Sequence, residues 1–379
     1  MKVPLSGERF RAVYRLTMPE AEARERARAI GVEQTIEFPA DLVTGGDIRD
    51  HIIGRVEDFL PSGEGVFEAV VSYAVESTGA ELTQALNVLF GNISMIPGIR
   101  LQRFDWPPAF DGKFRGPRFG AEGLRQLLSA SNRPLLGAVI KPMGLSVKDL
   151  AAMAYDLALG GLDVVKDDHG LADQSFAPFR ERVERCAEAV SRANRETGGR
   201  CLYAPNVTAS PTALVERARF AKAAGAGGLL VTPGLAGFGA LQTLADDETL
   251  NLPLFGHPAF AGSFITRPSD GLSPFALYGQ IHRMAGADAA IHPHKGGRFP
   301  FTDRDIDEIV QGVRAPMGTL KPILPMPGGG MTIENIPEMI RIYGRDVIFL
   351  IGGDLHRRGN SLSDGVRQYR RAVEAAAVP

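Results

Sequence analysis

The sequence predicts an α/β protein in which a C-terminal (β/α)8 TIM barrel follows a smaller α+β domain of ferredoxin-like type. Three observations carry that expectation. From Leu135 onward, eight short apolar runs alternate with segments whose apolar residues recur every three or four positions, the rhythm of parallel strands joined by helices. The residues before them follow a different rhythm. Glycine is abundant, 44 of 379 residues, about 12% against a usual level near 7%. It has no G-X-Y period, and part of it falls where the apolar runs end and the chain must turn.

Taken in order, Arg11 to Met18 reads as a strand, and PEAEARERARAIGVEQT as a charged, alanine-rich helix entered through a proline. EQTIEFP returns to strand character. GVFEAVVSYAV (65–75) alternates as a half-buried strand, ELTQALNVLFG reads as a helix and GIRLQRFDW as a further strand. The Pro/Gly-rich stretch from Pro107 to Gly120 reads as a linker or exposed loop, which places the domains at 1–115 and 116–379. The barrel strands are then LLGAVIKP, LDVVKDD, CLYAPNVTA, GGLLVTP, LPLFGHP, AAIHPH, PILPMP and VIFLIGG, with a last helix beginning near Ser361. Eight units in roughly 240 residues suit a closed barrel better than an open doubly wound sheet.

Composition excludes several classes of function. The 42 basic and 44 acidic groups leave a net charge of -2, so there is no general footprint for nucleic acid. Cys186 and Cys201 are the two cysteines, too few for a disulfide scaffold. No apolar run reaches the ~20 residues of a membrane span, and the first residues turn charged before a signal-like core develops. The expectation is a soluble, cytoplasmic protein with no membrane or nucleic-acid partner.

The chemistry-bearing residues collect at the carboxyl ends of the expected strands: Lys141, Lys166 to Asp168, Asn206, His257, His292 with His294, Gly328 to Gly330, and Gly352 with Gly353. In a barrel those ends converge on one mouth. The glycines after strands seven and eight suit a phosphate cradle of bare backbone N–H groups, although tight βα turns make the same demand. In VVKDDHGLADQ, alternation puts Lys166 and Asp168 on one face and Asp167 on the other. Carbamylation of Lys166 by carbon dioxide would give an anionic oxygen donor which, with Asp168, suits Mg²⁺. His169 adds a nitrogen, which a hard cation does not prefer. The same spacing also serves a Lys–Asp ion pair beside a helix start.

These motifs resemble the RuBisCO large-chain superfamily over nearly the whole chain, and its non-carboxylating RuBisCO-like (form IV) proteins in particular. By that resemblance GAVIKPMGLS makes Lys141 the proton carrier at an enediol or enolate. GGLDVVKDDHGLADQ makes Lys166 the carbamylated lysine and Asp168 a metal ligand, with His169 where the family has a glutamate. Glu33, Gln34 and Thr35 in GVEQTIEFP and Asn92 in LFGNIS match segments that reach into a partner's barrel. The resemblance thus implies a homodimer with shared active sites. The glycines at 328–330 and 352–353 match phosphate-binding turns.

Departures argue against carboxylation of ribulose bisphosphate: Met143 interrupts a second lysine, while Pro258 and Ala261 replace an arginine and a histidine after His257. Enolate chemistry on a phosphorylated ketone is the expected activity, with Lys141, His292 and Lys166 catalytic and Mg²⁺ as cofactor. His257 and His294 would orient substrate, and Lys295 or Arg298 would bind an acidic or phosphorylated end. Among substrates, the basic HPHKGGR loop favours a phosphorylated oxo-sugar acid of the 3-oxo-isoapionate 4-phosphate type, cleaved by a transcarboxylase or hydrolase reaction. The alternatives are a 2,3-diketo-5-methylthiopentyl-1-phosphate enolase or related sugar-phosphate isomerase, which needs an apolar recess for a thioether, and a non-catalytic sugar-phosphate-binding regulator.

Overall fold

The computed structural model describes residues 4–376. Its first elements are β1 (Arg9–Thr17), α1 (Glu20–Glu33), β2 (Arg55–Gly63), β3 (Val66–Ala74), α2 (Leu82–Phe90) and β4 (Ile99–Phe104). Alternation on β1 turns Phe10, Ala12, Tyr14 and Leu16 inward, with Val13 also buried on the opposite face. On α1 the buried residues are Ala23, Ala27, Ile30 and Gly31, spaced to form one stripe of a helix. Small side chains bring this helix close to the sheet. At its end a Cβ on Gly31 would lie 2.5 Å from the Gly54 carbonyl oxygen, so only glycine permits that crossing.

Three local expectations change. EQTIEFP is not a strand: α1 runs to Glu33, and the amides of Gln34 and Ile36 turn back onto the Ile30 and Val32 carbonyls at 3.0 Å each. Buried Gln34 holds this turn by donating to the carbonyls of Asn87 (2.7 Å) and Val88 (2.9 Å). β2 went unrecognised because it is an almost wholly exposed edge strand carrying Pro61, with no apolar alternation to detect. The stretch from Pro107 to Gly120 is no simple exposed loop. Phe110 and Phe114 are buried and meet Trp106 edge-on at centroid distances of 5.3 and 5.6 Å.

The barrel follows as α3 (Gly120–Leu128), β5 (Leu135–Ile140), α4 (Val147–Leu159), β6 (Val164–Asp167), α5 (Phe179–Thr197), β7 (Leu202–Ala204), α6 (Pro211–Ala223) and β8 (Leu229–Val231). It continues through α7 (Pro233–Ala236), α8 (Phe238–Asp246), β9 (Leu254–Gly256), α9 (Gly262–Ile265), β10 (Gly271–Leu272) and α10 (His282–Met284), the last entered from a π-helical run, Phe275–Ile281. The final units are β11 (Ala289–Pro293), α11 (Asp303–Arg314), β12 (Leu324–Gly328), α12 (Ile336–Tyr343), β13 (Ile348–Ile351) and α13 (Leu362–Ala376).

Every expected barrel strand forms. Eight of them make a parallel sheet in the order β7-β6-β5-β13-β12-β11-β9-β8. A bridge between Asn206 and Leu230 draws its two ends together, with the Val207 amide donating to the Leu230 carbonyl at 3.0 Å. Leu135, Val139, Val164, Ala204, Leu230, Phe255, Ile291 and Met326 point inward and fill the barrel, while their neighbours pack under the helices. Leu124 and Leu128 of α3 join the inner cluster. Asp288, just before β11, holds that helix by accepting the Phe119 and Gly120 amides at 2.7 Å each. β10 leaves the barrel and pairs with β4, so the five-stranded mixed sheet β10-β4-β1-β3-β2 ties the two parts together.

Candidate active site

Inward and outward positions alternate along each barrel strand, and the last inward residue of each reaches the mouth. On β5 the inward residues are Leu135 and Val139, so the next in phase is Lys141. Its Nζ lies 3.5 Å from where a Cβ on Gly352 would stand, which places the amine beside the turn after β13. On β6 Val164 points inward and Lys166 follows it, 2% exposed, with Nζ donating to the Asp167 carbonyl at 3.0 Å. Burial lowers Lys166 to about 8; the Asp168 and Asp167 charges oppose the shift, and the Lys141 charge adds to it. An appreciable neutral fraction then exists near neutral pH, the form that carbon dioxide can carbamylate.

Asp167 faces away from the mouth, as alternation requires. Fully buried, it accepts from Arg182 Nε (3.1 Å), the Tyr203 hydroxyl (2.7 Å) and the Asn206 amide (3.0 Å). This knot anchors the end of β6, and with it Lys166 and Asp168. Asp168 remains partly open, with Oδ1 accepting the Gly170 amide at 2.9 Å. His169 Nδ1 sits 3.4 Å from that oxygen. Asn206 Nδ2 donates to the His169 and Leu171 carbonyls at 3.0 and 2.9 Å, so its role is to hold the turn. Met143 lies over the same turn: its Cε is 2.6 Å from where a Cβ on Gly170 would be.

His257, next after β9, stacks on His169 with ring centroids 4.3 Å apart and planes 14° from parallel. Burial depresses His257 far below an ordinary imidazole, and the nearby Lys166 charge reinforces it. Its Nδ1 accepts the Ala259 amide at 3.1 Å, which leaves the ring proton on Nε2 as a donor. His169 is likewise lowered, first by burial, against the pull of Asp168.

The other expected site residues have partners of their own. His292 lies on the helix side of β11, because Ala289 and Ile291 take the inward positions. Its ring packs between Tyr278 and Tyr343 at centroid distances of 5.9 and 5.8 Å. Nδ1 donates to the Pro293 carbonyl at 2.9 Å, and burial lowers the ring to about 4. The register of β11 turns His292, expected as a catalytic residue, away from the lysines. His294 and Lys295 line a polar cavity of about 450 Å³ with Thr302, Asp303, Asn335 and Glu338. Lys295 Nζ is committed to Asp303 (2.8 Å) and Glu338 (3.0 Å) and is no open anion site. Arg298 lies 5.0 Å over the Phe299 ring, and its charge reaches His169.

Gly329 and Gly330 have φ of 90° and 92°, and a Cβ on Gly297 would lie 2.5 Å from the Gly329 carbonyl oxygen. The glycines are thus needed for the turn and for the close approach of two loops. Among the described residues, the amides of Gly329, Gly330 and Gly352 donate to no protein group. They are free donors for an anion. In the small domain Asn92 Nδ2 donates to Glu33 Oε1 at 2.9 Å, while the Thr35 hydroxyl donates to the Gly31 carbonyl at 2.7 Å.

Sequence reasoning did not single out His356, which follows β13 and is lowered by burial and by the charge of Lys141. It also missed Arg182 and Tyr203, which hold Asp167 from α5 and β7. A polar residue on a buried helix stripe was the available signal for Arg182.

A small sheet domain carried beside a (β/α)8 barrel, with two lysines and a carboxylate converging at the barrel mouth and glycine turns after its last two strands, defines the class. The chain belongs to the RuBisCO large-chain family: residues 120–378 match the ribulose bisphosphate carboxylase large chain catalytic domain. It is 39% identical over 366 residues to ribulose bisphosphate carboxylase-like protein 1 of Rhodopseudomonas palustris, covering 97% of this chain and 98% of that one. Against the 5-methylthioribulose-1-phosphate isomerase of Rhodospirillum rubrum it is 37% identical over 371 residues, covering 98% and 97%. A crystal structure of a Rubisco-like protein from Rhodopseudomonas palustris superposes with a TM-score of 0.87 at 35% identity, covering 97% of each chain.

Proposed function

We propose that this chain is a non-carboxylating enzyme that isomerises a phosphorylated methylthio-ketose through an enolate. The observation that carries the reading is the pairing of Lys141 with buried Lys166 at the barrel mouth, beside free amides on the glycine turns. The phosphate would rest on the Gly329, Gly330 and Gly352 amides. Lys141, 3.5 Å from the Gly352 Cβ position, would then take the proton next to the ketone and return it at the neighbouring carbon. The His257 Nε2 hydrogen supplies a donor for the oxygen that becomes negative.

A divalent cation fits this mouth in part. Among the described residues no group of three His, Cys, Asp or Glu side chains is arranged as a metal site. Asp168 and His169 supply two donors, and a carbamate on Lys166 would supply the third. When bound, the ion, Mg²⁺ in the family expectation, would polarise the substrate ketone. Met143 and Pro258 stand where carboxylation would use cations, which favours the non-carboxylating reading. A homodimer fits the same reading, with Glu33, Thr35 and Asn92 of one protomer serving the mouth of its partner. No described helix is long and apolar enough to cross a membrane; a cytoplasmic location is part of the proposal.

The isomerase reading displaces the oxo-sugar acid reading for two reasons. The 37% identical relative is named for a methylthio-sugar phosphate. Lys295, the cation expected to hold a substrate carboxylate, already pairs with two carboxylates of its own. The test is to incubate the protein with 5-methylthioribulose 1-phosphate in D₂O and follow deuterium entry and product by NMR and mass. Isomerisation with exchange, lost in Lys141→Ala, is expected. Cleavage of an oxo-sugar acid phosphate in its place would restore the displaced reading.

A further inference from the structure

We propose that the cation site formed by Lys166, Asp168 and His169 prefers a first-row transition ion, Co²⁺ above Mn²⁺, to Mg²⁺, with His169 as a direct nitrogen ligand. This rests on reading the mouth as a divalent-cation site.

His169 Nδ1 and Asp168 Oδ1 stand 3.4 Å apart. Two donors bound to one ion at about 2.1 Å, at angles between roughly 90° and 110°, span about 3.0 to 3.4 Å. The pair thus has the separation of neighbouring ligands on a single cation. Asp168 Oδ1 is oriented by the Gly170 amide at 2.9 Å, and its second oxygen is left for the ion or for substrate. The His169 ring is held on one face by the flat stack on His257 at 4.3 Å, and Asn206 fixes the turn beneath it by donating to its backbone carbonyl at 3.0 Å. Ligands held this way lose little freedom on binding. Because stacked parallel rings aim their nitrogens along separate planes, His257 does not share the ion with His169.

Mg²⁺ binds through oxygen and sheds water reluctantly, whereas imidazole nitrogen favours ions further along the first row. Replacing one hard oxygen by this nitrogen moves the selectivity of the mouth toward those ions. The remaining shell, a Lys166 carbamate and Asp168, is oxygen-only and keeps Mg²⁺ as a weaker alternative.

The test uses the full-length protein stripped of metal and given bicarbonate. Titration with Mn²⁺, Co²⁺ and Mg²⁺ by calorimetry, in wild type and His169→Glu, gives the selectivity; pulsed EPR of the Mn²⁺ form reads nitrogen coupling directly. The expected result is nitrogen coupling that disappears in both His169→Gln and His169→Glu. The Mn²⁺-over-Mg²⁺ preference should fall by about tenfold or more in His169→Glu. His169 lies on a half-exposed turn, so both variants should fold, and circular dichroism checks this. Cation binding without nitrogen coupling, or coupling that survives in His169→Gln but vanishes in His257→Gln, overturns the inference and leaves the cation-site reading standing. Failure of all three ions to bind overturns both.

Discussion

Arg182→Met tests whether the knot beneath β6 is what holds Lys166 and Asp168 in place. Methionine keeps the length and apolar bulk of the arginine stem and removes its charge. Both Arg182 and Asp167 side chains are 0% exposed, with Nε 3.1 Å from the carboxylate. The guanidinium also donates to the Ala177 carbonyl (2.6 Å) and the Ala172 carbonyl (2.8 Å), pinning the loop between β6 and α5. Removing one partner of such a pair costs about 3–5 kcal/mol. Asp167 keeps the Tyr203 hydroxyl and Asn206 amide, so the loss should lie near the lower figure, about 3 kcal/mol. At a urea slope of about 3 kcal/mol/M the unfolding midpoint falls by about 1 M. Circular dichroism of urea unfolding measures it. Adding Asp167→Asn to the variant removes the stranded charge and should recover part of the loss. A single-variant loss under about 1 kcal/mol, or a double variant less stable than the single, would refute the reasoning.

The same variant should act on the site. With its counter-ion gone, Asp167 pulls harder on the Lys166 proton and should reduce the proposed carbamylation. In wild type, the ¹³C carbamate signal from labelled bicarbonate should rise as pH climbs through about 8, where Lys166 loses its proton; a signal independent of Lys166→Met would place the modification elsewhere. Because the folded value lies below the ordinary 10.5, stability contributed by this group should also increase between about pH 8 and 10.5, where the unfolded chain alone holds the proton. His292 works at the acid end. Its folded value near 4 lies below the ordinary 6.5, so its contribution is present above 6.5 and lost as pH falls toward 4. His292→Phe should therefore flatten the loss of stability in that window by about 1.4 kcal/mol per pH unit. An unchanged slope would mean that the ring is not buried neutral.

The barrel was legible because each of its strands is a short apolar run bounded by turn residues and followed by a segment of helical period. Alternation was legible too: Lys166 inward and Asp167 outward follow from a period of two once β6 is placed. The same rule places His292 outward when β11 is phased from Ala289 and Ile291. β2 could not be seen because edge strands are exposed and their pairing comes from a neighbour. EQTIEFP carries strand-like residues, yet Gln34 is captured by carbonyls at 87 and 88, a contact no local pattern encodes.

From the sequence alone come the class of fold, the family, the lysines and carboxylate of the mouth, and the glycine turns, since all of these depend on residue type and short-range period. Tertiary structure decided which of those groups act together. Lys295 is neutralised by Asp303 and Glu338, which lie 8 and 43 positions away in sequence. His169 meets His257 across 88 positions, and β10 returns from the barrel to complete the small sheet. The physical reason is that charge pairing, burial and ring stacking depend on distance in space. Chain closure around the barrel sets that distance, and spacing along the sequence does not.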